Sequence, residues 1–326
     1  MPMAPGGWRA HGVWTLAAEL ARPQKLVLPT RQGVSASAVA LPTGVWPTVA
    51  DFLAERLPKV SAAEWLARMA AGDVLDEHGV ALPPEARYQA GGRLYYYRHL
   101  AQEAPIPFEE QLLFVDDYLV VADKPHFLPV LPSGRYVQET LLVRLKKRLG
   151  IASLTPIHRI DRETAGLVAF SIQPHTRNAY QALFRERVVR KVYEAIAPLR
   201  QDLALPLHYR SRLQERAEAF MQMQEVPGEP NAETLIELIE TRATLARYRL
   251  SPQTGQKHQL RAQMSALGVP ILGDRIYPLL LPDSEALAQD FSQPVQLLAK
   301  RLEFLDPVTG QERRFESTRE LVFSSS

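Results

Sequence analysis

The sequence predicts an α+β protein with a small front domain and a larger second domain, and three observations support this. A chain of 326 residues with 46% hydrophobic composition is long enough to bury a core, and its length favours two domains over one. Stretches typical of strands are interspersed with stretches whose apolar residues recur at helical spacing. The polar segment AQEAPIPFEE, residues 101–110, contains two prolines and three glutamates, as exposed connections do.

The front of the chain divides into an extension and a small module. Residues 1–47 are rich in Pro, Gly, Ala and Ser, which predicts an extension or wrapping arm. In the module and its linker, residues 48–104, the apolar spacing predicts two short helices, and Gly72 is placed to cap the second. Strands are expected to follow as far as Tyr97.

The larger domain, residues 105–326, alternates between the two kinds of element. We expect strands over residues 119–122, 166–171, 188–197 and 243–250, and helices over residues 140–149, 178–184 and 256–268. The polar, acidic segment 214–233 is interpreted as an insertion, and no strand is assigned to it.

Composition limits the classes of function. Zero cysteines exclude disulfides, thiolate nucleophiles and cysteine-ligated metal sites, and favour the cytoplasm. The eight histidines show no paired metal-binding spacing. The best candidate for a signal-peptide core, residues 12–21, is short and carries Glu19, and no apolar run approaches the ~20 residues of a membrane span. We therefore expect a cytoplasmic protein that binds neither metal nor membrane.

The net charge of +2 conceals a basic region and an acidic one. Residues 141–200 contain twelve Lys or Arg against four Asp or Glu, whereas residues 201–240 contain three against eight. A local excess of cations is expected where a protein contacts a phosphate backbone. For the basic run at residues 144–148 taken alone, the solvated face of a helix is the favoured interpretation.

The segment HRIDRETAG, residues 158–166, lies within the basic region and carries the candidate chemistry. An aspartate beside arginines usually forms a surface ion pair that contributes ~0–1 kcal/mol. Asp161, however, lies at a predicted loop-to-strand junction and has Ile157, Ile160 and Leu167 as apolar neighbours. A carboxylate in such a partly desolvated cleft stays ionised only if cations or hydrogen-bond donors compensate for the lost water.

This segment resembles the HRLD-x-x-TSG signature of the RluA/RsuA-type pseudouridine synthases. Three further segments resemble family motifs in the right order: DKPHFLPVLPSG at 123–134, RKVYEAI at 190–196 and TGQKHQLRAQMSALGVPILGDRIY at 254–277. Four ordered motifs are far more specific than one, and together they span most of the chain between residues 109 and 277.

The resemblance implies the pseudouridine synthase fold, which is a mixed, mostly antiparallel central sheet flanked by helices, with a catalytic cleft. It implies an isomerase that breaks the N1–C1′ bond of a uridine within RNA, rotates the uracil and rejoins it through C5. That reaction requires no cofactor and no metal. RNA is the expected partner, with ribosomal RNA favoured over transfer RNA, and we expect the protein to be a monomer.

The matched motifs imply roles for five residues. Asp161 matches the catalytic aspartate, which either attacks C1′ or takes a proton to give a glycal, and the sequence does not decide between nucleophile and base. Arg261 matches the arginine that pairs with this aspartate, and Arg159 matches an arginine beside it that contacts RNA. Tyr193 matches the tyrosine that packs on the target base, where stacking contributes ~1–3 kcal/mol. Leu260 is expected to line the uracil pocket.

Other motif residues are interpreted as structural. Thr164 is expected to hydrogen-bond to the loop backbone, and Gly166 to allow a tight entry into the following strand. His158 is given a structural role as well. Lys124 and Pro125 are expected to shape the wall of the cleft.

The chain departs from the family pattern at several positions. Ala165 replaces the usual serine, His126 replaces the glycine after Lys-Pro, and residues 256–257, Gln-Lys, replace the common Arg-Thr. We expect one loop hydrogen bond and one phosphate contact to differ as a result. His258, in the same motif, is interpreted as a packing histidine rather than a base.

The front module, residues 48–100, resembles the small ribosomal-protein-S-four-like RNA-binding module, with two helices followed by a Gly-x-Val strand at 72–74. It contains six basic and seven acidic residues, whereas a phosphate-binding module should be clearly positive. A packing or specificity role is therefore the alternative to RNA binding.

Two other functions of the whole protein stay open at this point. A non-catalytic RNA-binding or ribosome-assembly factor could retain the same fold. A hydrolase that uses Asp161 with His158 or Glu163 is chemically close, since both reactions break a glycosidic bond.

Overall fold

A computed structural model of the chain describes residues 26, 28–98, 103–217, 219–281 and 290–323. Most of the predicted extension, residues 1–25 and 27, and the first two residues of the predicted connection, residues 101–102, lie outside the described residues, as do residues 99–100. The described helices are α1 Val49–Arg56, α2 Ala62–Ala70, α3 Leu141–Leu149, α4 Arg177–Arg185 and α5 Gln259–Ala266. The described strands are β1 Ser37–Ala40, β2 Val74–Leu75, β3 Arg93–Tyr96, β4 Gln111–Val115, β5 Leu119–Lys124, β6 Thr155–Pro156, β7 Ala165–Ser171, β8 Arg190–Pro198, β9 Leu207–Arg216, β10 Ala219–Val226, β11 Ala232–Arg242, β12 Leu245–Pro252, β13 Leu297–Leu305 and β14 Glu312–Glu316.

The chain divides into two compact units, of which the smaller includes Ser37–Tyr96. Its strands form an antiparallel sheet in the order β1-β3-β2. The apolar faces of α1 and α2 supply its core, in which Phe52, Leu53 and Trp65 are buried with Leu94 of β3. Both helices expected for the small module are present. The resemblance of this unit to the ribosomal-protein-like module stays a prediction.

The larger unit comprises Thr30–Ala36 and the chain from Tyr97 onward. Its sheet has the strand order β10-β9-β11-β12-β8-β13-β7-β5-β4, with β14 paired to β13 and β6 paired to β7. Among the described pairs, β13 and β7 run parallel and the others are antiparallel. This is the mixed, mostly antiparallel α+β architecture that the motifs predicted, and the prediction of fold class is confirmed.

The interpretation of residues 214–233 as an insertion without strands was wrong. Most of that segment belongs to a hairpin of β9 and β10, which extends the sheet and pairs through β9 with β11. Along β9, His208, Arg210 and Arg212 are exposed while alternate residues such as Ser211 and Leu213 are more buried. A strand with one polar face and few large apolar residues gives a weak periodic signal, which explains the error.

The register of the sheet brings two distant motifs to one place. Ala299 of β13 lies opposite Gly166 of β7 on one side and opposite Tyr193 of β8 on the other. The loop that carries Asp161 runs directly into β7, so it ends beside Tyr193 at the same level of the sheet. Next to β8, β12 pairs Leu250 with Tyr193, and the chain continues from β12 into α5.

Among the described helices, none has the length and apolar character needed to cross a membrane.

Candidate active site

A cleft of about 440 Å³ in the larger unit contains the five residues for which the motifs implied catalytic or substrate-binding roles. Asp161 and Arg159 come from the loop before β7, and Tyr193 comes from β8. Leu260 and Arg261 come from the first turn of α5. Residues separated by up to about a hundred positions in the chain therefore line one cavity.

The centre of the cleft is an ion pair between Asp161 and Arg261. Nη1 of Arg261 lies 3.2 Å from Oδ2 of Asp161. The arginine side chain is only 1% exposed, whereas the aspartate side chain is 27% exposed. The carboxylate thus faces the cleft while its counter-ion lies behind it in the protein interior.

Asp274 completes this ion pair, and the sequence analysis did not single it out. Its carboxylate accepts hydrogen bonds of 2.7 Å from both Nε and Nη2 of Arg261, and the backbone N–H groups of Ile276 and Tyr277 donate to its Oδ1. Burial alone would lower the pKa of Arg261, but the hydrogen bonds and charge of Asp274, with those of Asp161, raise it above its ordinary value. The arginine is therefore a fixed cation.

Glu163 is a second carboxylate near the guanidinium. Its Oε2 lies 3.8 Å from Nη1 of Arg261, and its Oε1 accepts a 2.7 Å hydrogen bond from Arg162. Burial would raise the pKa of Glu163, but the charges of Arg162 and Arg261 hold it below its usual range. Glu163 is ionised and forms ion pairs with two arginines, and it does not line the cleft.

Tyr193 and Leu260 provide the apolar surfaces of the cleft. Tyr193 is half-buried on β8, and burial together with the charge of Asp161 raises the pKa of its hydroxyl. The phenol therefore stays protonated at neutral pH. Leu260 is 7% exposed at the start of α5 and lines the same cavity. Both side chains therefore line the same cavity as the Asp161 carboxylate.

Cations form the mouth of the cleft. Arg159 and Arg187 are exposed there, and neither has an ion-pair partner among the residues that the structure describes. Lys191 donates a 2.9 Å hydrogen bond to the carbonyl of Thr254, and burial with the nearby charge of Arg187 lowers the pKa of this lysine to about 8. Arg187 was not a predicted site residue. It follows α4 in a left-handed conformation, φ 60°, which is uncommon for a residue other than glycine.

Side chains that lie outside the cleft hydrogen-bond to the backbone of the loop before β7. Nζ of the fully buried Lys124 donates 2.9 Å hydrogen bonds to the carbonyls of Pro125 and Arg162, and burial lowers its pKa to about 7. His126 contacts the carbonyl of Glu163 at 2.7 Å through Nδ1. Thr164 is buried against the cleft, but among the described residues the side-chain hydrogen bonds to the backbone carbonyls of Arg162 and Glu163 come from Lys124 and His126 instead. The hydrogen bond expected of Thr164 is therefore not seen.

His158 and Gly166 have the surroundings of structural residues. The His158 ring stacks on Phe184 at 4.5 Å, and its Nε2 accepts a hydrogen bond from the backbone N–H of Ala169. Burial lowers the pKa of His158 to about 3, so the ring is neutral. Gly166 has φ 108°, and a Cβ atom there would lie 2.3 Å from the carbonyl oxygen of Ala299.

His258 does more than pack in the core. It lines the cleft, and its Nε2 lies 3.8 Å from Oδ1 of Asp161. Its other nitrogen, Nδ1, lies 3.4 Å from the hydroxyl of Tyr277. Within the described ranges, no group of three or more His, Asp or Glu side chains is arranged to hold a metal ion.

Comparison with known proteins identifies the family. Residues 118–266 match the RNA pseudouridylate synthase family. The dual-specificity RNA pseudouridine synthase RluA of Escherichia coli K12 is 31% identical over 213 residues, which cover 63% of this chain and 91% of that relative. The chain belongs to the RluA-type RNA pseudouridine synthase family. Such proteins are isomerases that act on RNA.

A further relative and a solved structure are also similar to this synthase. An uncharacterised RNA pseudouridine synthase of Synechocystis is 29% identical over 229 residues, which cover 70% of this chain and 78% of that protein. The solved structure of human RNA pseudouridylate synthase domain containing 1 has a TM-score of 0.53 and 19% identity, and it covers 67% of this chain and 86% of its own. At that identity the human structure supports the fold alone.

Proposed function

We propose that this synthase converts uridine to pseudouridine in structured RNA and that Asp161 is the essential carboxylate. One observation carries the proposal: the Asp161 carboxylate opens to the cleft while the buried Arg261 holds it at 3.2 Å. An aspartate held in this way is accessible to a substrate in the cleft and has a fixed cation beside it.

The reaction moves one base from nitrogen to carbon linkage on the same sugar, so no atom is gained or lost. Either the carboxylate of Asp161 attacks C1′ as N1 leaves, or it takes the C2′ proton as N1 leaves and a glycal forms. The uracil then turns and C5 bonds to C1′, which breaks the bond between Asp161 and C1′ in the first route and is accompanied by return of the proton to C2′ in the second. C5 finally loses its proton and N1 gains one. Both routes start from ionised Asp161, and we propose no choice between them.

The walls of the cleft suit an extruded nucleotide. A stacked, paired uridine offers neither access to C1′ nor room for its base to turn, so the target nucleotide must leave the helix. We assign the uracil to the space between Tyr193 and Leu260, and the adjacent phosphates to Arg159 and Arg187. The two guanidiniums lack protein partners among the described residues, which leaves their charge available to the RNA backbone.

Two resemblances bear on the RNA target. The similar Escherichia coli protein is described as having dual specificity. We favour ribosomal RNA because the small front module, residues 48–104, resembles a ribosomal-protein-like fold, and transfer RNA is the second candidate. We propose that residues 105–326 carry out catalysis as a monomer in the cytoplasm, with the front module contributing to specificity.

Pseudouridine mapping of total RNA tests the proposal. Cells with the wild-type gene should contain one or more pseudouridines that are missing from a deletion strain, and a gene encoding Asp161→Asn should fail to restore them. The purified variant should still bind RNA. A complete set of pseudouridines in the deletion strain would favour the non-catalytic RNA-binding factor, and free uracil released from RNA would favour the hydrolase.

A further inference from the structure

His258 adopts a backbone conformation that costs free energy and that helix initiation does not explain. It stands at the N-cap of α5 with φ 50° and ψ 22°, in the left-handed region, and its side chain makes no capping hydrogen bond. Only a few per cent of residues other than glycine adopt this conformation, although histidine, like Asn and Asp, does so more often than most. Backbone strain of this kind persists where a side chain must point in a particular direction.

The direction of the ring is set by a chain of three contacts. The backbone N–H of Met223 in β10 donates a 2.6 Å hydrogen bond to the Tyr277 hydroxyl oxygen. That hydroxyl lies 3.4 Å from Nδ1 of His258. Nε2 of His258 faces Oδ1 of Asp161 at 3.8 Å, while Arg261 contacts the other carboxylate oxygen, Oδ2.

The donors and acceptors in this chain fit one arrangement of protons. The Tyr277 oxygen already accepts the Met223 N–H, so its own proton is directed to Nδ1 of His258. A neutral imidazole that accepts at Nδ1 carries its proton on Nε2, and this N–H points to Asp161. Burial lowers the pKa of His258 and raises that of Tyr277 to about 12, so both groups have the required neutral form at pH 7.

We propose that His258 is a positioning residue for Asp161: its Nε2–H orients Oδ1 towards the sugar, and Tyr277 fixes the tautomer that makes this possible. The inference rests on the proposed function of Asp161. The 3.8 Å separation is longer than a hydrogen bond, as is common for catalytic contacts before substrate binds, and the proposal requires it to shorten when a nucleotide fills the cleft.

Two substitutions of His258 separate this role from a backbone role. In His258→Gln the amide nitrogen reaches the position of Nε2 but the residue tolerates φ 50° poorly, whereas Asn tolerates that conformation better and is too short to reach Asp161. We expect kcat on an RNA transcript containing a mapped target uridine to fall about tenfold in His258→Asn and less in His258→Gln, with KM little changed. The opposite order would overturn the proposal, because it would mean that conformation alone matters.

Tyr277→Phe tests the tautomer. It keeps the ring beside Arg261 and removes the hydroxyl, so kcat should fall, and the loss should not add to that of His258→Asn. Tyr248→Phe is the control, since it removes a buried hydroxyl that bonds to Pro198 elsewhere in the sheet and should leave kcat unchanged. If the losses in kcat from Tyr277→Phe and His258→Asn were additive, Tyr277 would not act through His258 and the proposal would be wrong.

¹⁵N NMR of histidine-labelled protein gives a readout that does not depend on activity. We expect His258 to carry its proton on Nε2 in the wild type and to become a mixture of tautomers in Tyr277→Phe. A wild-type His258 ring protonated at Nδ1 would refute this role of His258 and Tyr277 even if pseudouridine formation were established. Wild-type protein that makes no pseudouridine would instead refute the proposed function, whatever the tautomer.

Discussion

Arg261 contacts Asp161 through a single nitrogen, Nη1, because Asp274 holds both Nε and Nη2 at 2.7 Å. Asp274 is itself fixed by the backbone N–H groups of Ile276 and Tyr277. The position of the cation behind the cleft is therefore set by the chain from β12 to Tyr277. The loop that carries Asp161 does not determine where the Arg261 guanidinium lies.

Asp274→Asn should separate the placement of Arg261 from its charge. The amide keeps the shape of the side chain but loses one acceptor and its charge, so the guanidinium becomes mobile and partly uncompensated. We expect kcat to fall by about 10–100-fold and the free energy of unfolding by about 3 kcal/mol. Single-turnover pseudouridine formation and urea denaturation measure the two effects.

A matched control for Asp274 is Asp306→Asn. Asp306 is also fully buried, and it accepts hydrogen bonds from Arg313 and Tyr180 outside the cleft. This variant should lose comparable stability and keep the wild-type kcat. If Asp274→Asn also retained full kcat, Asp274 would be a stability residue and the account given above for Arg261 would be wrong.

Arg187→Gln should weaken RNA binding without affecting the chemical step. The Arg187 guanidinium is exposed at the cleft mouth and has no ion-pair partner among the described residues, so we assign it to one phosphate. Binding of a short oligouridylate should weaken about tenfold, and the slope of log K against log salt should fall in magnitude by about one.

Arg185→Gln is the control for this charge change. Arg185 is the last residue of α4, two positions before Arg187, but its side chain is 60% exposed and pairs with Glu186 at 3.8 Å, and it does not line the cleft. Its removal should change the salt slope much less. Equal changes in the two variants would indicate a diffuse electrostatic effect rather than a phosphate site at Arg187.

The sequence predicted the residues that face the cleft better than the residues that hold them in position. Asp161, Arg261 and Tyr193 were found through motifs whose order is characteristic, and the cleft brings all three positions together. Asp274 lies inside the last quoted motif, so its Gly-Asp pair was an available signal. Arg187 gave no signal, because its role depends on a left-handed turn that only the fold reveals.

The fold was predicted least well where packing rather than periodicity decides it. Helices such as α3 and the buried strands β5 and β7 have strong apolar patterns, and they were found. The β9–β10 hairpin has a charged face, and its partners are brought together by long-range pairing with β11 and contacts to α5. The apolar pattern within the hairpin segment alone could not reveal those partners.

Acid pH should destabilise the protein through His158. Burial lowers the pKa of this imidazole from 6.5 to about 3, so between these values the unfolded chain binds a proton that the native protein does not. Stability should therefore fall as the pH falls below about 6.5, by ~2 kcal/mol from this group at about pH 5. His158→Gln should flatten that slope in urea denaturation series. His208→Gln, on an exposed position of β9, should keep the wild-type slope, and an equal flattening in both would contradict the assignment.

Gly166→Ala should disrupt both folding and activity, because the position admits no Cβ for two separate reasons. Its φ of 108° is strained for any L side chain, and the added carbon would lie 2.3 Å from the carbonyl oxygen of Ala299, on the strand that separates β7 from β8. Gly310 has a positive φ of 71° with nothing within 4 Å of a Cβ, so Gly310→Ala includes the conformational cost alone. We expect about 1 kcal/mol of destabilisation at Gly310 and about 3 kcal/mol or more at Gly166.

The Gly166 variant should also lose kcat under conditions where it remains folded, because β13 lies between β7 and β8 and so determines the position of Tyr193 relative to the Asp161 loop. Equal destabilisation in the two variants, with activity retained, would show that β7 and β13 can separate without disturbing the cleft.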